Sequence, residues 1–207
     1  MNNKHQLILE TALTLFQKYG YHAIGIDRVI AESGVAKMTM YRYFPSKNAL
    51  IEAVLNERDQ RFRDALVEFV DDIDDPREKL RALFLWHYQW FKETSFNGCM
   101  FINAVAEFPE LNNSIRQASI KHKMLVQSFI ESILNLVLTV EIAQRLSAQF
   151  SQLLDGAIIA AQVMGDYLSA FMAWRSAVGL LRLEGVHVEL GNSFDLVIKK
   201  VGISSDL

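Results

Sequence analysis

The sequence is poor in cysteine, in proline and in long apolar runs. Its single cysteine, Cys99, excludes a disulfide within the chain, and with it the disulfide-rich secreted folds, which favours a reducing compartment. The most apolar stretches, residues 129–140 and 157–164, are shorter than the roughly 18 residues of a membrane span and contain polar side chains. We therefore expect no membrane partner.

The start of the chain also lacks the apolar core of an export signal. Residues 7–9 are apolar but are followed at once by Glu10, whereas a signal peptide needs about 7–15 apolar residues in succession. The protein is therefore expected in the cytoplasm.

Proline occurs only at positions 45, 76 and 109, and elsewhere apolar residues recur at the three- and four-residue spacing of helices. The spacing predicts an all-α fold. The expected helices comprise residues 7–19, 26–33, 37–44, 47 to about 69, a helix from 76, 98–108, 115–134, 141–164 and 167–183. Residues 186–207 fit a strand, a short helix or a tail, and their pattern leaves all three open.

Charge is divided unevenly, although the net charge is only −3. Residues 1–50 contain six basic and three acidic residues, and the remainder contains 15 basic and 21 acidic residues. A mildly basic segment on an acidic body favours a polyanionic partner at the N-terminal end only.

The acidic run at residues 71–75 has two interpretations. Paired carboxylates could bind a metal or transfer protons. Asp75 followed by Pro76 and Glu78 is, however, typical of a helix start, with the aspartate as N-cap and the proline in the first turn. We favour the helix start and expect no metal site.

Two short helices, residues 26–33 and 37–44, are predicted on either side of Gly34 and form a candidate helix-turn-helix. The residues expected at their internal contacts are Ala31, Gly34, Val35, Met40 and Phe44. The outward face of the second helix combines cations, hydroxyls and aromatic rings, which bind phosphate oxygens and base edges. These outward residues are Lys37, Met38, Thr39, Tyr41, Arg42 and Tyr43.

The same region resembles the tetracycline-repressor-like (TetR) transcriptional regulators. The residues that carry the resemblance match in order and without gaps. They are Gly20-Tyr21, Ile30-Ala31, Ser33-Gly34-Val35, Met40-Tyr41-Arg42-Tyr43-Phe44 and Ser46-Lys47-Asn48-Ala49-Leu50. The resemblance implies a three-helix DNA-binding domain at residues 4–63, with the helix-turn-helix at about 25–44. It also implies an effector-binding and dimerisation domain at 64–207.

The resemblance assigns roles to individual residues. It implies that Lys37, Met38 and Arg42 face the major groove and that Tyr41, Tyr43 and Lys47 contact phosphates, while Thr39 could do either. Phenolic hydroxyls and a lysine ammonium are suitable phosphate donors. For both tyrosines, packing of the ring against the first helix is the alternative role.

Three residues depart from the usual family pattern. Gly25 and Ala36 stand where Ser or Thr usually caps a helix, so a side-chain cap and a phosphate contact are lost at each site. Met38 replaces a smaller residue, and its thioether either contacts a thymine methyl or obstructs the usual docking. The operator sequence of a relative is therefore not transferable.

Apolar and aromatic residues are dense between residues 84 and 108, which fits a pocket for an apolar or aromatic effector. The candidate pocket residues are Trp86, His87, Trp90, Cys99, Asn103, Glu107, His122 and Gln162. Each has an alternative role in the core or on the surface. Cys99 is either a reactive, sensing thiol or a small buried hydrophobe.

The last two helices, about 141–183, are apolar around much of their circumference, and we assign them to a homodimer interface, with an internal hairpin as the alternative. Their small residues are expected at the close approach between subunits. These are Gly156, Ala157, Ala160, Ala161, Ala170, Ala173, Ala177 and Gly179.

The function predicted from these features is a ligand-responsive dimeric repressor that binds a double-stranded DNA operator and is released by a small molecule. The alternative is an all-helical carrier or enzyme with a vestigial DNA-binding domain, and activation in place of repression also stays open. The sequence contains no phosphate-binding glycine loop or nucleophile elbow, so we expect no catalytic residue and no cofactor.

Overall fold

A computed structural model describes residues 3–190. Within this range the regular secondary structure is entirely helical, which confirms the all-α fold class. The helices are α1 (Asn3–Tyr19), α2 (Ile26–Ser33), α3 (Lys37–Tyr43), α4 (Lys47–Asp71), α5 (Pro76–Phe91), α6 (Met100–Glu107), α7 (Ser114–Leu134), α8 (Val140–Met164) and α9 (Ser169–Leu183).

The described residues form two compact units. The first, called the N-terminal unit below, consists of residues 3–64 and 99–124, and the second, the C-terminal unit, consists of residues 65–98 and 125–190. Helices α4 and α7 each contribute residues to both. A functional division of the chain between residues 63 and 64 stays a prediction.

In the N-terminal unit, α1, α2 and α3 pack on one another as the predicted three-helix DNA-binding fold. Gly34 ends α2 in the left-handed conformation, with a φ of 66°, and its N–H donates to the carbonyl of Ile30. This glycine can adopt that φ without a Cβ clash, which allows the tight turn into α3. Pro45 follows the end of α3, and α4 begins two residues later.

The internal contacts of this fold differ in part from the prediction. Val35, Met40 and Phe44 are buried as expected, but Ala31 and Gly34 are exposed. The expectation was wrong for Ala31 because Val29, which is fully buried, occupies the inward face of α2 two positions earlier, and it was wrong for Gly34 because this residue lies at the exposed end of that helix. The helix-turn-helix is therefore held by branched and long side chains rather than by small ones.

The expected start of α6 at residue 98 was also wrong, since the helix begins at Met100. Gly98 has a φ of 79° and Cys99 is extended, so neither residue can form the first helical turn. Glycine is favoured at position 98 because residues with a side chain rarely adopt this positive φ.

The acidic run before α5 is a helix start, as predicted. A carboxylate oxygen of Asp75 accepts a hydrogen bond from the Arg77 N–H at 2.9 Å, and Pro76 is the first helical residue. No group of three or more metal-ligating side chains occurs among residues 3–190.

The C-terminal unit is built on α5, α8 and α9, whose core contains Phe84, Phe150 and Trp174. The Phe84 ring lies 5.8 Å from that of Phe150 and 5.3 Å from that of Trp174. None of the helices in the described range is long and apolar enough to cross a bilayer. Residues 186–190 form neither helix nor strand. Residues 191–207, the rest of the segment for which the sequence pattern leaves three structures open, lie outside the described residues.

Most of the small residues expected at a subunit interface are buried within the C-terminal unit. Their role is to let α8 and α9 approach each other closely in an internal hairpin, which was the alternative interpretation. The buried members are Ala157, Ala161, Ala170, Ala173 and Ala177, whereas Gly156 and Gly179 are exposed.

Candidate nucleic-acid interface

Helix α3 presents one buried and one exposed face. Met40 is completely buried against the other helices of the unit, whereas Met38 is 86% exposed and Tyr41 is 43% exposed. The exposed face borders a surface depression of about 700 Å³. The residues that line it are Lys37, Met38, Thr39, Tyr41 and Arg42. The structure thus brings five of the seven predicted DNA-binding residues together on one surface.

The other two predicted residues lie beside this surface. Tyr43 is half-buried, and its ring meets the His5 ring edge-on at 5.4 Å. The Arg42 guanidinium lies 5.0 Å from the centre of the Tyr43 ring, and one of its nitrogens is 3.5 Å from the phenolic oxygen. The ring of Tyr43 therefore packs on α1, as the alternative role required, while its hydroxyl remains next to a cation.

Lys47 begins α4, where its ammonium donates a hydrogen bond to the main-chain oxygen of His22 at 3.3 Å. Burial lowers the pKa of Lys47, and the nearby carboxylate of Glu107 acts in the opposite direction. Of the other cations, Lys37 lies 3.4 Å from Asp27 at an exposed position.

The N-termini of α2 and α3 have no side-chain caps, in agreement with the departures seen in the sequence. Gly25 and Ala36 occupy the N-cap positions in extended conformations, and neither offers a hydrogen-bonding side chain. Both residues are exposed. Neither helix therefore has a hydrogen bond between its N-cap side chain and its first turn.

The predicted effector residues are divided between the two units. In the C-terminal unit, His87 and Trp90 are buried in an aromatic cluster with Trp86, Phe91 and Phe96, with ring centres 5.0–6.2 Å apart. The Nδ1 atom of His87 is 2.7 Å from the carbonyl oxygen of Leu83. Gln162 donates to the main-chain oxygen of Asn97 at 3.3 Å.

In the N-terminal unit, His122 is buried against three side chains. Its Nδ1 atom lies 2.7 Å from a carboxylate oxygen of Asp59, and its ring stacks on Phe101 at 3.6 Å between centroids. Phe62 meets the same ring edge-on at 5.2 Å. Burial lowers the pKa of His122 to about 4, so the imidazole is neutral at pH 7.

The remaining candidates in this unit are Cys99, Asn103 and Glu107. Cys99 is buried, and Asn103 lies half-buried on α6. Glu107, by contrast, binds main-chain N–H groups of the turn between α1 and α2. No signal in the sequence indicates this last role of Glu107, since the partners are separated by more than 80 residues. The assignment of these side chains to an effector pocket stays a prediction.

Similarity to known proteins extends from the N-terminal helices to most of the chain. The sequence model of the family described as bacterial regulatory proteins, tetR family, matches residues 8–54. YuxN, an uncharacterized HTH-type transcriptional regulator of Bacillus subtilis, is 35% identical over 81 residues, which are 39% of this chain and only 28% of YuxN. YxaF, another such B. subtilis regulator, is 23% identical over 186 residues, 88% of this chain and 97% of YxaF.

A solved structure shows the same arrangement of helices. SCO4454, a TetR-family transcriptional regulator from Streptomyces coelicolor, matches with a TM-score of 0.79 and 26% sequence identity, covering 86% of this chain and 94% of that protein. The N-terminal segment of the chain therefore matches the tetR family of bacterial regulatory proteins, since the helix-turn-helix, α2 and α3, lies within the residues that the family's sequence model covers, and the fold resembles that of SCO4454.

Proposed function

We propose that this protein is a sequence-specific transcriptional regulator that acts as a dimeric repressor and is released from its operator by a small molecule. The observation that carries this proposal is the exposed face of α3, where two cations, two hydroxyls and one thioether surround the 700 Å³ depression. Such a helix fits the major groove, where cations and hydroxyls reach phosphates and base edges. The activity belongs to the cytoplasm, where bacterial operators lie.

Dimerisation is supported by an uncovered apolar stripe on the C-terminal unit. On α8 the exposed positions 156, 159 and 163 share one helix face, and on α9 positions 172, 179 and 183 do the same. Val163 is 75% exposed, Met172 50% and Leu183 81%. A second copy of the chain is the occupant we propose, because a symmetric dimer would present two α3 helices to one palindromic operator.

The effector we propose is apolar or aromatic. The described part of α5 is rich in aromatic side chains, with Trp86 half-buried beside the buried Trp90. A pocket with mainly apolar walls and a few polar groups favours a ligand of the same character. Thermal shift assays with a panel of apolar compounds test this, since a ligand bound only by the folded protein raises the melting temperature.

The carrier or enzyme alternative is not favoured, because the relatives reported above are named as transcriptional regulators. Repression or activation depends on where the operator lies relative to a promoter. A reporter assay with the operator between promoter and gene distinguishes the two outcomes.

The experiment that tests the proposed function is selection of duplexes from a random-sequence pool by the purified protein. We expect enrichment of an inverted repeat whose half-site centres lie about 34–36 Å apart, one helical turn of DNA, or a multiple of that distance. Arg42→Ala should relax the preference at one base pair of each half-site. Recovery of a pool without any enriched motif would contradict the proposal.

A further inference from the structure

Glu107 contacts the main chain of the turn between α1 and α2. It is the last residue of α6, and one carboxylate oxygen accepts the Tyr21 N–H at 2.9 Å. The other oxygen accepts the His22 N–H at 2.5 Å and lies 2.9 Å from Nδ1 of the same histidine. One side chain thus holds two consecutive main-chain N–H groups of the turn between α1 and α2.

The turn is built to accept this carboxylate. Gly20 has a φ of 80°, and a Cβ at this position would lie 2.9 Å from an oxygen of Glu107. Glycine is favoured by the backbone conformation, and the absence of a Cβ leaves room for the carboxylate. The His22 ring stacks on Phe108, the residue after Glu107, with 4.7 Å between centroids.

Tyr21 attaches the turn to the other end of α6. Its side chain is almost completely buried, and its hydroxyl donates to the carbonyl oxygen of Met100, the first residue of that helix, at 2.9 Å. Burial raises the pKa of Tyr21 well above its usual range, so the hydroxyl keeps its proton as a donor. Both ends of α6 therefore fix the position of residues 20–22.

The same turn holds Lys47. The N–H of His22 donates to Glu107, and its carbonyl oxygen accepts from the Lys47 ammonium at 3.3 Å. A lysine side chain loses much rotamer freedom when it is held in one place. Because the His22 carbonyl oxygen orders Lys47 before DNA arrives, less of this entropy has to be lost when DNA binds. The chain of contacts runs from Glu107 through the His22 main chain to Lys47.

We propose that Glu107 is a positioning residue for DNA binding, which holds the His22 main chain and thereby places the Lys47 ammonium for contact with a phosphate. This inference rests on the proposed function, because it takes Lys47 to be a phosphate contact. All of its members belong to the N-terminal unit.

Charge and position predict opposite effects for the loss of this carboxylate. Glu107 is an anion near a phosphate-binding cation, so removing its charge should strengthen attraction to DNA if electrostatics alone mattered. Removing its hydrogen bonds should weaken binding if Glu107 acts by position. Glu107→Gln separates these effects, because the amide has nearly the same size but no charge and only one acceptor atom.

The test measures the affinity of wild type, Glu107→Gln, Lys47→Met and the double variant for the selected duplex by fluorescence anisotropy over a series of salt concentrations. We expect Glu107→Gln to bind about five- to tenfold more weakly, with a salt slope lower by up to about one, the value for one lost phosphate contact. The double variant should bind no more weakly than Lys47→Met alone, since both changes remove the same contact.

Glu10→Gln is the matched control. Glu10 joins α1 to Arg61 of α4 in the same unit, and within residues 3–190 no contact of Glu10 leads to Lys47. This variant should lose stability without changing the salt slope. If Glu107→Gln does not fold by circular dichroism, Glu107→Asp replaces it, because the shorter side chain keeps the charge but cannot reach both N–H groups.

The outcomes separate this inference from the proposed function. The positioning role is overturned if Glu107→Gln binds DNA as tightly as wild type. It is also overturned if the fold-losses in affinity of the two single variants multiply in the double variant. Neither result affects the proposed function as a regulator. Failure of the wild type itself to select a sequence would overturn the proposed function.

Discussion

Two methionines on the same helix occupy opposite environments. Met40 is completely buried and Met38 is 86% exposed, although only one residue separates them on α3. An unbranched thioether next to Lys37 and Arg42, on a surface that faces DNA in the proposed complex, fits a contact with the methyl group of thymine. Met40 instead fills the space under the helix-turn-helix.

Met38→Ala should therefore change base preference without changing stability. We expect wild type to lose about three- to tenfold in affinity when one thymine of the operator is replaced by uracil, and Met38→Ala to show no such loss. The free energy of unfolding should change by less than about 0.5 kcal/mol. Met40→Ala should instead lower the free energy of unfolding by roughly 2–4 kcal/mol, because it leaves a cavity. Uracil substitution without effect on wild type at every position would exclude the thymine contact.

The buried pair of His122 and Asp59 makes stability depend on pH. Burial lowers the pKa of His122 from 6.5 to about 4. As the pH falls below 6.5, this histidine is therefore protonated in the unfolded chain before it is protonated in the folded protein, which favours unfolding. The pKa of Asp59 is also lowered: burial opposes this shift, but hydrogen bonds from Arg63 and His122 outweigh it. Both lowered pKa values mean that the folded protein loses stability as the pH falls. The loss due to His122 begins at a higher pH than the loss due to Asp59.

We predict that wild type loses roughly 2–3 kcal/mol more stability than His122→Gln between pH 6.5 and pH 4. The glutamine keeps a hydrogen-bond donor towards Asp59 but has no titrating proton. Urea unfolding at a series of pH values measures the difference, with His187→Gln, at an exposed position, as the control. Parallel pH profiles for wild type and His122→Gln would show that His122 is not the titrating group.

At the scale of helices, local signals predicted most of the boundaries. Gly34 and Pro45 mark the ends of α2 and α3, and Asp75 with Pro76 marks the start of α5. Glu107 shows why the site was harder to predict. Its partners lie 85 and 86 residues earlier in the chain, and no periodicity in the sequence records such a contact.

A side-chain cap at the start of α3 should stabilise the protein. Ala36 is an exposed, extended N-cap without a side-chain acceptor, and serine there should accept an N–H of the first turn. We expect Ala36→Ser to raise the free energy of unfolding by about 0.5–1 kcal/mol. Asp75→Ala, which removes an existing cap from α5, should lower it by a similar amount. Chemical denaturation checks both, and an Ala36→Ser variant less stable than wild type would contradict the assigned cap geometry.

At the scale of the whole molecule, the exposed apolar stripe on α8 and α9 is not explained by a single chain. The alanines expected at the subunit contact instead pack α8 on α9, because sequence shows that a helix pair is apolar but not which face each residue occupies. The large apolar residues Val163 and Leu183 remain at the surface. Exposed patches of this kind mark interaction sites.

Val163→Glu should convert the proposed dimer into a monomer, since burying an unpaired carboxylate costs several kcal/mol, roughly 10²-fold or more in dissociation constant. Analytical ultracentrifugation measures the change, and affinity for the inverted repeat should fall with it. Met124→Glu, at a similarly exposed methionine outside the stripe, is the control and should remain dimeric. A wild type that sediments as a monomer at micromolar concentration would contradict this interface.

The most direct test of the central claim is the affinity of the wild-type protein for its selected duplex and for an unrelated duplex, measured by fluorescence anisotropy at two salt concentrations. A sequence-specific regulator should bind the selected duplex at least about 10³-fold more tightly, and that ratio should persist as salt weakens both affinities. Equal affinity for the two duplexes would contradict the proposal that the exposed face of α3 reads DNA sequence.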